Sequence, residues 1–301
     1  MISLRAALLA TTLASTCALP ALAQNERLNA NTRLEGEFGG ERVTYEASVE
    51  RTHMAATGGL PAVSLVTTAY LGEAGAPEER PVIFLFNGGP GAPSSWLHMG
   101  GLGPVRINAP ADPAAPVPAD AELTANTDTL LDVADLVFID PPATGFSRVT
   151  GEDEDNVLLT VMGDAQLTAN FITRWLEDHG RNDAPVYVLG ESYGTLRASV
   201  VAGLMAQTRP LEGVILLGQA VNMIETSQRA DNIVSHATNL ASLAAIAAYH
   251  GKADLEGRTM AAFIDEVHAW AMSEYLLALS QGEALPPPDR QTIAAQLEAY
   301  T

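Results

Sequence analysis

The chain has 301 residues, of which 47% are hydrophobic and 17% charged, with a formal net charge of −20. That composition is globular, and the length suits one large domain or one domain with an insertion. The acidity, with Lys252 the only lysine, argues against nucleic acid and anionic membrane surfaces as partners.

Residues 1–23 carry Arg5, an apolar stretch and the small-residue site Ala21-Leu22-Ala23, the pattern of a secretory signal peptide. The stretch is shorter than the ~20 apolar residues of a membrane span and is broken by Pro20. It predicts a periplasmic or secreted protein with no membrane attachment after cleavage. Cys17 is the only cysteine and lies within this segment, so the mature chain is expected to be disulfide-free.

Residues 24–41 are polar and glycine-rich and read as a flexible arm. "RVTYEASVERT" and "PAVSLVTTAYL" then read as strands. "RPVIFLF" is a continuous apolar run stopped by "NGGPG", the pattern of a buried parallel strand ending in a glycine-rich loop. A proline-rich surface excursion follows, then the buried strand "DVADLVFID" ending at "PPATGFSR", and "GEDEDN", a solvated loop. A helix is predicted from about 164 to 177, then the strand "APVYVLG", the helix "TLRASVVAGLMAQT" and the strand "LEGVILLGQAVN". Strands alternating with helices predict an α/β fold, a doubly wound and mostly parallel sheet covered on both faces, over residues 42–222. Residues 223–301 are rich in alanine, leucine and methionine and predict helices, among them one continuous helix over "MAAFIDEVHAWAMSEYLLALSQG". We expect this part to be an α-helical cap.

Glycine- or proline-rich turns end three of the strands, at 87–91, 140–145 and 190–194, where such sheets bind ligands. "GESYG" places Ser192 between Gly190 and Gly194 after a strand and before a helix, the setting of a catalytic serine on a strained turn. Tyr193 would offer its N–H at a helix start, where negative charge is favoured. In "NGGPG", consecutive glycines let the Gly89 N–H approach a ligand without Cβ obstruction.

"FNGGPGAPSS", "FIDPPATGFSR" and "LGESYGTLRA" together resemble the serine carboxypeptidase family, α/β-hydrolases that remove single residues from peptide C-termini, and "ATNLASLAAIAAYHGK" resembles the cap region of its bacterial branch. The resemblance runs from about Arg42 to the last residue. It implies Ser192 as nucleophile, an oxyanion hole from Gly89 and Tyr193, and a grip on the substrate's terminal carboxylate by Asn87 and Glu191, assisted by the Gly88 backbone. It implies a peptide with a free C-terminus as partner and no metal or cofactor; oligomeric state is not legible. Two departures stand out. Ala92 occupies the position where many members have cysteine, and Gly194-Thr195 replaces the family's Ala-Gly, a change that reads as mild.

A serine nucleophile needs a histidine base and an acid to orient it. In this fold they follow the serine in the order acid, then histidine. After Ser192 come His236, His250 and His268, with Asp231, Asp254, Asp265 and Asp289. Asp265 and His268, three apart on a predicted helix, are close enough to touch. Placement on the helical segment is nevertheless wrong for a base, and His98 precedes the serine. The resemblance therefore places the catalytic acid and histidine, with the last sheet strands, beyond Thr301, and the 223–301 cap reads as truncated. An esterase or acyltransferase of the same fold and a non-catalytic binding protein are the competing readings.

Overall fold

The computed structural model describes residues 29–301, apart from 111, 113, 114, 117, 119, 154, 155, 224–228 and 230. The signal-peptide reading of residues 1–23 lies outside the described residues. The chain divides into two compact units, 1–221 and 222–301.

The first unit is built on a mixed sheet of β1 (Ala30–Phe38), β2 (Glu41–Met54), β3 (Val63–Gly72), β4 (Val82–Phe86), β7 (Asp135–Ile139), β8 (Arg148–Val149), β9 (Val186–Glu191) and β10 (Gly213–Leu217). Its order is β1-β2-β3-β7-β4-β9-β10, with the short β8 pairing with β3. The four strands β7, β4, β9 and β10 are mutually parallel, whereas β1, β2 and β3 join by antiparallel pairings. Residues 30–38, expected to belong to a flexible arm, form β1 instead. Val43 and Tyr45 of its partner β2 are buried, and Phe38 at the end of β1 packs with them, so the hairpin is anchored although most of β1 is exposed. The excursion after β4 contains a separate ribbon of β5 (Val105–Ile107) and β6 (Leu123–Ala125).

Side chains alternate across the sheet, as strand geometry demands. Val82, Phe84 and Phe86 of β4, with Val137 and Ile139 of β7, enter one core. Ile83 and Leu85, with Leu136 and Phe138, enter the core on the other face. Helices α1 (Val161–Asp178) and α2 (Tyr193–Met205) both pack on the first core, through residues such as Phe171, Trp175, Ala198 and Val201. Among the described residues no long helix lies on the second face; Leu97 and Leu131, from short helical turns, cover it. Both faces are thus covered, the second by short turns in place of a long helix. The cause is topological: β7–α1–β9 and β9–α2–β10 step across the sheet in one direction, and right-handed crossovers then share a face. The β4-to-β7 connection steps the opposite way, so its irregular chain takes the other face. The connections leaving β4 and β9, neighbours in the sheet, consequently depart to opposite faces, and their carboxyl ends mark the switch point at which folds of this kind have their ligand crevice.

α1 starts a turn earlier than the sequence pattern predicts because Thr160 caps it, its hydroxyl accepting the Gly163 N–H at 3.0 Å. Among the described residues, β10 pairs with β9 alone, and Val214, Ile215, Leu216 and Leu217 are exposed.

The described part of the second unit is helical: α3 (Ile233–Tyr249), α4 (Met260–Trp270), α5 (Leu276–Gln281) and α6 (Pro287–Tyr300) enclose a small core of Leu240, Ala244, Phe263, Val267, Ala271 and Tyr300. The helical course expected from Met260 to near Gly282 runs on without a break and contains a π-type turn at Ala271–Tyr275. A five-residue turn brings residues i and i+5 together, and there the Trp270 and Tyr275 rings stack with centroids 5.4 Å apart.

Candidate active site

The candidate residues gather at the crevice. β9 runs through Glu191 into Ser192, which adopts φ 56° and ψ −124°, and α2 begins at Tyr193. Positive φ is unusual for a residue with a Cβ, and strain of this kind clusters at functional sites. The flanking glycines are required by close approach. A Cβ on Gly190 would lie 2.0 Å from the Gly194 carbonyl oxygen, and one on Gly194 would lie 2.8 Å from the Phe86 carbonyl oxygen. The turn is therefore wedged against the end of β4.

Thr195 fastens the same turn from below. It is fully buried; its Oγ1 donates to the Ser192 carbonyl at 2.7 Å and accepts the Ala220 N–H at 2.8 Å, tying the serine turn to the loop after β10. The Gly194-Thr195 departure thus supplies a bond that glycine at position 195 lacks.

Across the crevice, Gly89 has φ +106°, and a Cβ on Gly88 would sit 2.5 Å from the Tyr193 nitrogen. The double glycine therefore lets the two loops touch. Tyr193 is the first residue of α2, so its N–H has no acceptor within the helix. Among the described residues no protein acceptor meets the N–H groups of Gly88, Gly89 or Tyr193. Gly88 and Tyr193 are buried residues. Backbone amides left without acceptors at two adjoining strand ends form a ready site for an anion.

Asn87 is buried, and every polar group beyond its N–H is engaged: Nδ2 donates to Glu191 Oε2 at 3.0 Å, Oδ1 accepts the Leu97 N–H at 3.0 Å, and its carbonyl accepts from Arg197 Nη1 at 2.9 Å. Asn87, Gly88, Gly89, Glu191, Ser192 and Tyr193 are thus assembled by two adjacent strand ends. Beside them Asp140, at the end of β7, accepts the Ser94 N–H at 3.0 Å and the Phe146 N–H at 3.2 Å. Burial pushes its carboxyl above the usual range despite those two amides. Asp140 joins the loop after "NGGPG" to the loop "PPATGFSR", with Trp96 and Phe146 exposed on them.

Two of the candidate histidines, His98 and His236, are engaged elsewhere. His98 is largely buried: its Nε2 lies 2.6 Å from the Tyr70 hydroxyl, its ring stacks on Phe138, and desolvation lowers its pKa to about 4. In the second unit, His236 Nε2 lies 3.0 Å from the Arg229 carbonyl and His250 follows the end of α3. Among the described residues no hydrogen bond joins Asp265 to His268, no cluster of His, Cys, Asp and Glu is arranged to hold a metal, and no helix is long and apolar enough to cross a membrane.

Sequence reasoning missed Arg197, Asp164, Thr195 and Asp140. Arg197 had left a signal: it interrupts the stripe Tyr193, Val201, Met205, spaced by multiples of four, that is otherwise apolar.

A mixed sheet whose parallel half carries a strained serine turn beside its switch point is the fold of the α/β-hydrolases. Within it, residues 70–212 match the model of the serine carboxypeptidase family, the family that the three motifs resemble. The solved structure of Kex1, a prohormone-processing carboxypeptidase from Saccharomyces cerevisiae, aligns with 84% of this chain at a TM-score of 0.51 and 18% identity, a likeness of fold. It covers 53% of the yeast chain, so the present chain spans about half the length of that relative. Weaker likenesses are to a thioesterase domain from the curacin biosynthetic pathway (14% identity, 84% of this chain and 80% of that one, TM-score 0.32). The peroxisomal α/β-hydrolase Lpx1 from Saccharomyces cerevisiae is similar at 13% identity over 62% of this chain and 42% of its own, with a TM-score of 0.32. No curated protein matches the sequence.

Proposed function

We propose that the chain carries the nucleophile and substrate-carboxylate site of a serine-type carboxypeptidase, acting on peptides with a free C-terminus, in a protein that is exported. In this reading Ser192 gives its proton to a general base and attacks the last peptide carbonyl, the C–N bond breaks as the terminal residue leaves with that proton on its amine, and water hydrolyses the acyl-enzyme. The N–H groups of Gly89 and Tyr193 receive the oxyanion, a pair of donors each worth roughly 3–4 kcal/mol in the transition state. Asn87, Glu191 and the Gly88 N–H hold the terminal carboxylate. The observation that carries the reading is the Asn87–Glu191 hydrogen bond, one residue from Ser192. An esterase needs no such pair.

The test is to offer the full-length protein a blocked dipeptide and its C-terminal amide, and to probe Ser192 with a fluorophosphonate. Cleavage of the free acid in preference to the amide, with labelling of Ser192, is the expected result. Equal cleavage of both would assign an esterase-like site, and an unlabelled, inert Ser192 a binding protein.

A further inference from the structure

Among the described residues, Arg197 is the one large charged side chain in the most deeply buried set, 1% exposed. Its Nε donates to Asp164 Oδ2 at 2.8 Å, joining α2 to α1. Its guanidinium lies against two rings, 5.2 Å from the Phe86 centroid and 5.4 Å from that of Tyr193. Removing such a pair from water is costly, and apolar side chains tie two helices together at least as well. The second hydrogen bond differs in kind, because it reaches the chain after β4: Nη1 donates to the Asn87 carbonyl at 2.9 Å.

That bond fixes more than a carbonyl. The Asn87–Gly88 peptide is planar, and in the trans form its C=O and N–H point in opposite directions. With the Asn87 oxygen drawn inward to Arg197, the Gly88 N–H is turned outward from it. Among the described residues that N–H meets no protein acceptor. Gly88 needs such external restraint, since glycine has little conformational preference of its own.

We propose that Arg197, locked by Asp164, is a positioning residue that aims the Gly88 N–H at the substrate's terminal carboxylate. The inference rests on the carboxypeptidase reading and adds to it the group that sets how strongly a free acid is preferred. Arg197 touches no substrate in this scheme. Its effect on the terminal carboxylate passes through the orientation of one peptide plane, so it falls more heavily on recognition of the free acid than on the reaction at the scissile carbonyl, which the contact with the Tyr193 ring touches less directly.

The experiment uses the full-length protein and the ratio of kcat/KM for a blocked dipeptide acid to that for its C-terminal amide. Active-site concentration is set by fluorophosphonate titration. Arg197→Met is expected to lower this acid-to-amide ratio about tenfold while Ser192 is still labelled. Arg197→Lys keeps the buried charge and a bond to Asp164 but lacks the planar fork that reaches both partners. It is expected to lower the ratio similarly while Ser192 is still labelled, which covers the case in which the methionine variant does not fold. A purely structural role for Arg197 would lower the melting temperature, or depress both substrates equally, and leave the ratio unmoved; that result in Arg197→Lys overturns the proposal. A wild-type protein that shows no preference for the acid would overturn the carboxypeptidase reading itself, a distinct outcome visible before any variant is made.

Discussion

Asn87 and Glu191 come from neighbouring strand ends and hydrogen-bond to one another across 3.0 Å, Asn87 Nδ2 donating to Glu191 Oε2. Only one of the two is acidic, and the ligand proposed for them is a second carboxylate. Two bare carboxylates repel, and a proton taken up by the substrate terminus at low pH removes that repulsion. KM for a free-acid peptide is therefore expected to rise with pH between 4.5 and 8, while KM for the C-terminal amide stays level. In Glu191→Gln the side-chain amide donates at every pH, and the dependence should disappear. Initial rates across that range decide it; a flat wild-type KM would refute a carboxylate-to-carboxylate contact.

The strain at Ser192 gives an outcome independent of any substrate. Its backbone lies at φ 56°, ψ −124°, which costs a residue with a Cβ roughly 1–3 kcal/mol. Ser192→Gly removes the Cβ at the expense of a more flexible unfolded chain, roughly 0.5–1 kcal/mol. A net gain of about 1 kcal/mol is expected in urea unfolding. Ser192→Ala keeps the Cβ and should match wild type. Both variants should lose hydrolysis by roughly a million-fold, as serine hydrolases do without their nucleophile. Equal stabilities of the glycine and alanine variants would show that the turn stores no strain.

Much of this region is legible in the sequence because its chemistry is local. "VIFLF" before "NGGPG", and "VYVLG" before "ESYG", announce buried strands that end in tight turns, and the family motifs name Asn87, Glu191 and Ser192 by type. What lies across the fold is not legible. The tie from Arg197 to the Asn87 carbonyl spans 110 positions, and Asp164 meets Arg197 over 33. Nothing in the local pattern of either partner points to the other. β1 was hidden for another reason: its residues are mostly exposed, so the alternation that betrays a half-buried strand is absent. The one-faced placement of α1 and α2 follows from strand order, which an isolated segment does not encode.

Gly190 marks where packing is least forgiving. A Cβ there would stand 2.0 Å from the Gly194 carbonyl oxygen and 2.8 Å from the Thr195 nitrogen, both backbone atoms that cannot rotate away. Gly190→Ala is expected to destabilise the protein by about 3 kcal/mol or more, at or above the upper end of the usual cost of overpacking. Gly203, on the same helix as Thr195, has open space around its Cβ position. Gly203→Ala should instead hold or slightly raise stability, since alanine favours helix by about 1 kcal/mol. Urea midpoints of the two variants test the contrast. A tolerated Gly190→Ala would mean that the serine turn can move off β4.

His179 and Glu50 link the end of α1 to β2, and their protonation should be visible in stability. His179 Nδ1 lies 2.8 Å from the Trp175 carbonyl and Nε2 3.0 Å from Glu50 Oε2. Both ring nitrogens thus face acceptors, and only the imidazolium can donate to both. Burial opposes that charge, but the bonds to Glu50 and the Trp175 carbonyl outweigh it and hold the His179 pKa above its usual value. The hydrogen bond from His179 correspondingly holds Glu50 below the usual carboxylate range. A raised histidine stabilises below its unfolded pKa and loses that contribution as pH climbs through the folded value; a depressed carboxylate loses its contribution as pH falls below the unfolded one. With unfolded values near 6.5 and 4.5, the pair works best between them and fades above neutrality. Both side chains are partly exposed, so the contribution is modest, about 1 kcal/mol. The stability lost in Glu50→Gln relative to wild type should accordingly be largest near pH 5.5 and fall by more than half at pH 9. Because the buried His98 titrates in both proteins alike, it cancels from this difference. A loss that is the same at both pH values would show that Glu50 acts as a neutral-partner hydrogen-bond acceptor and that His179 carries no charge.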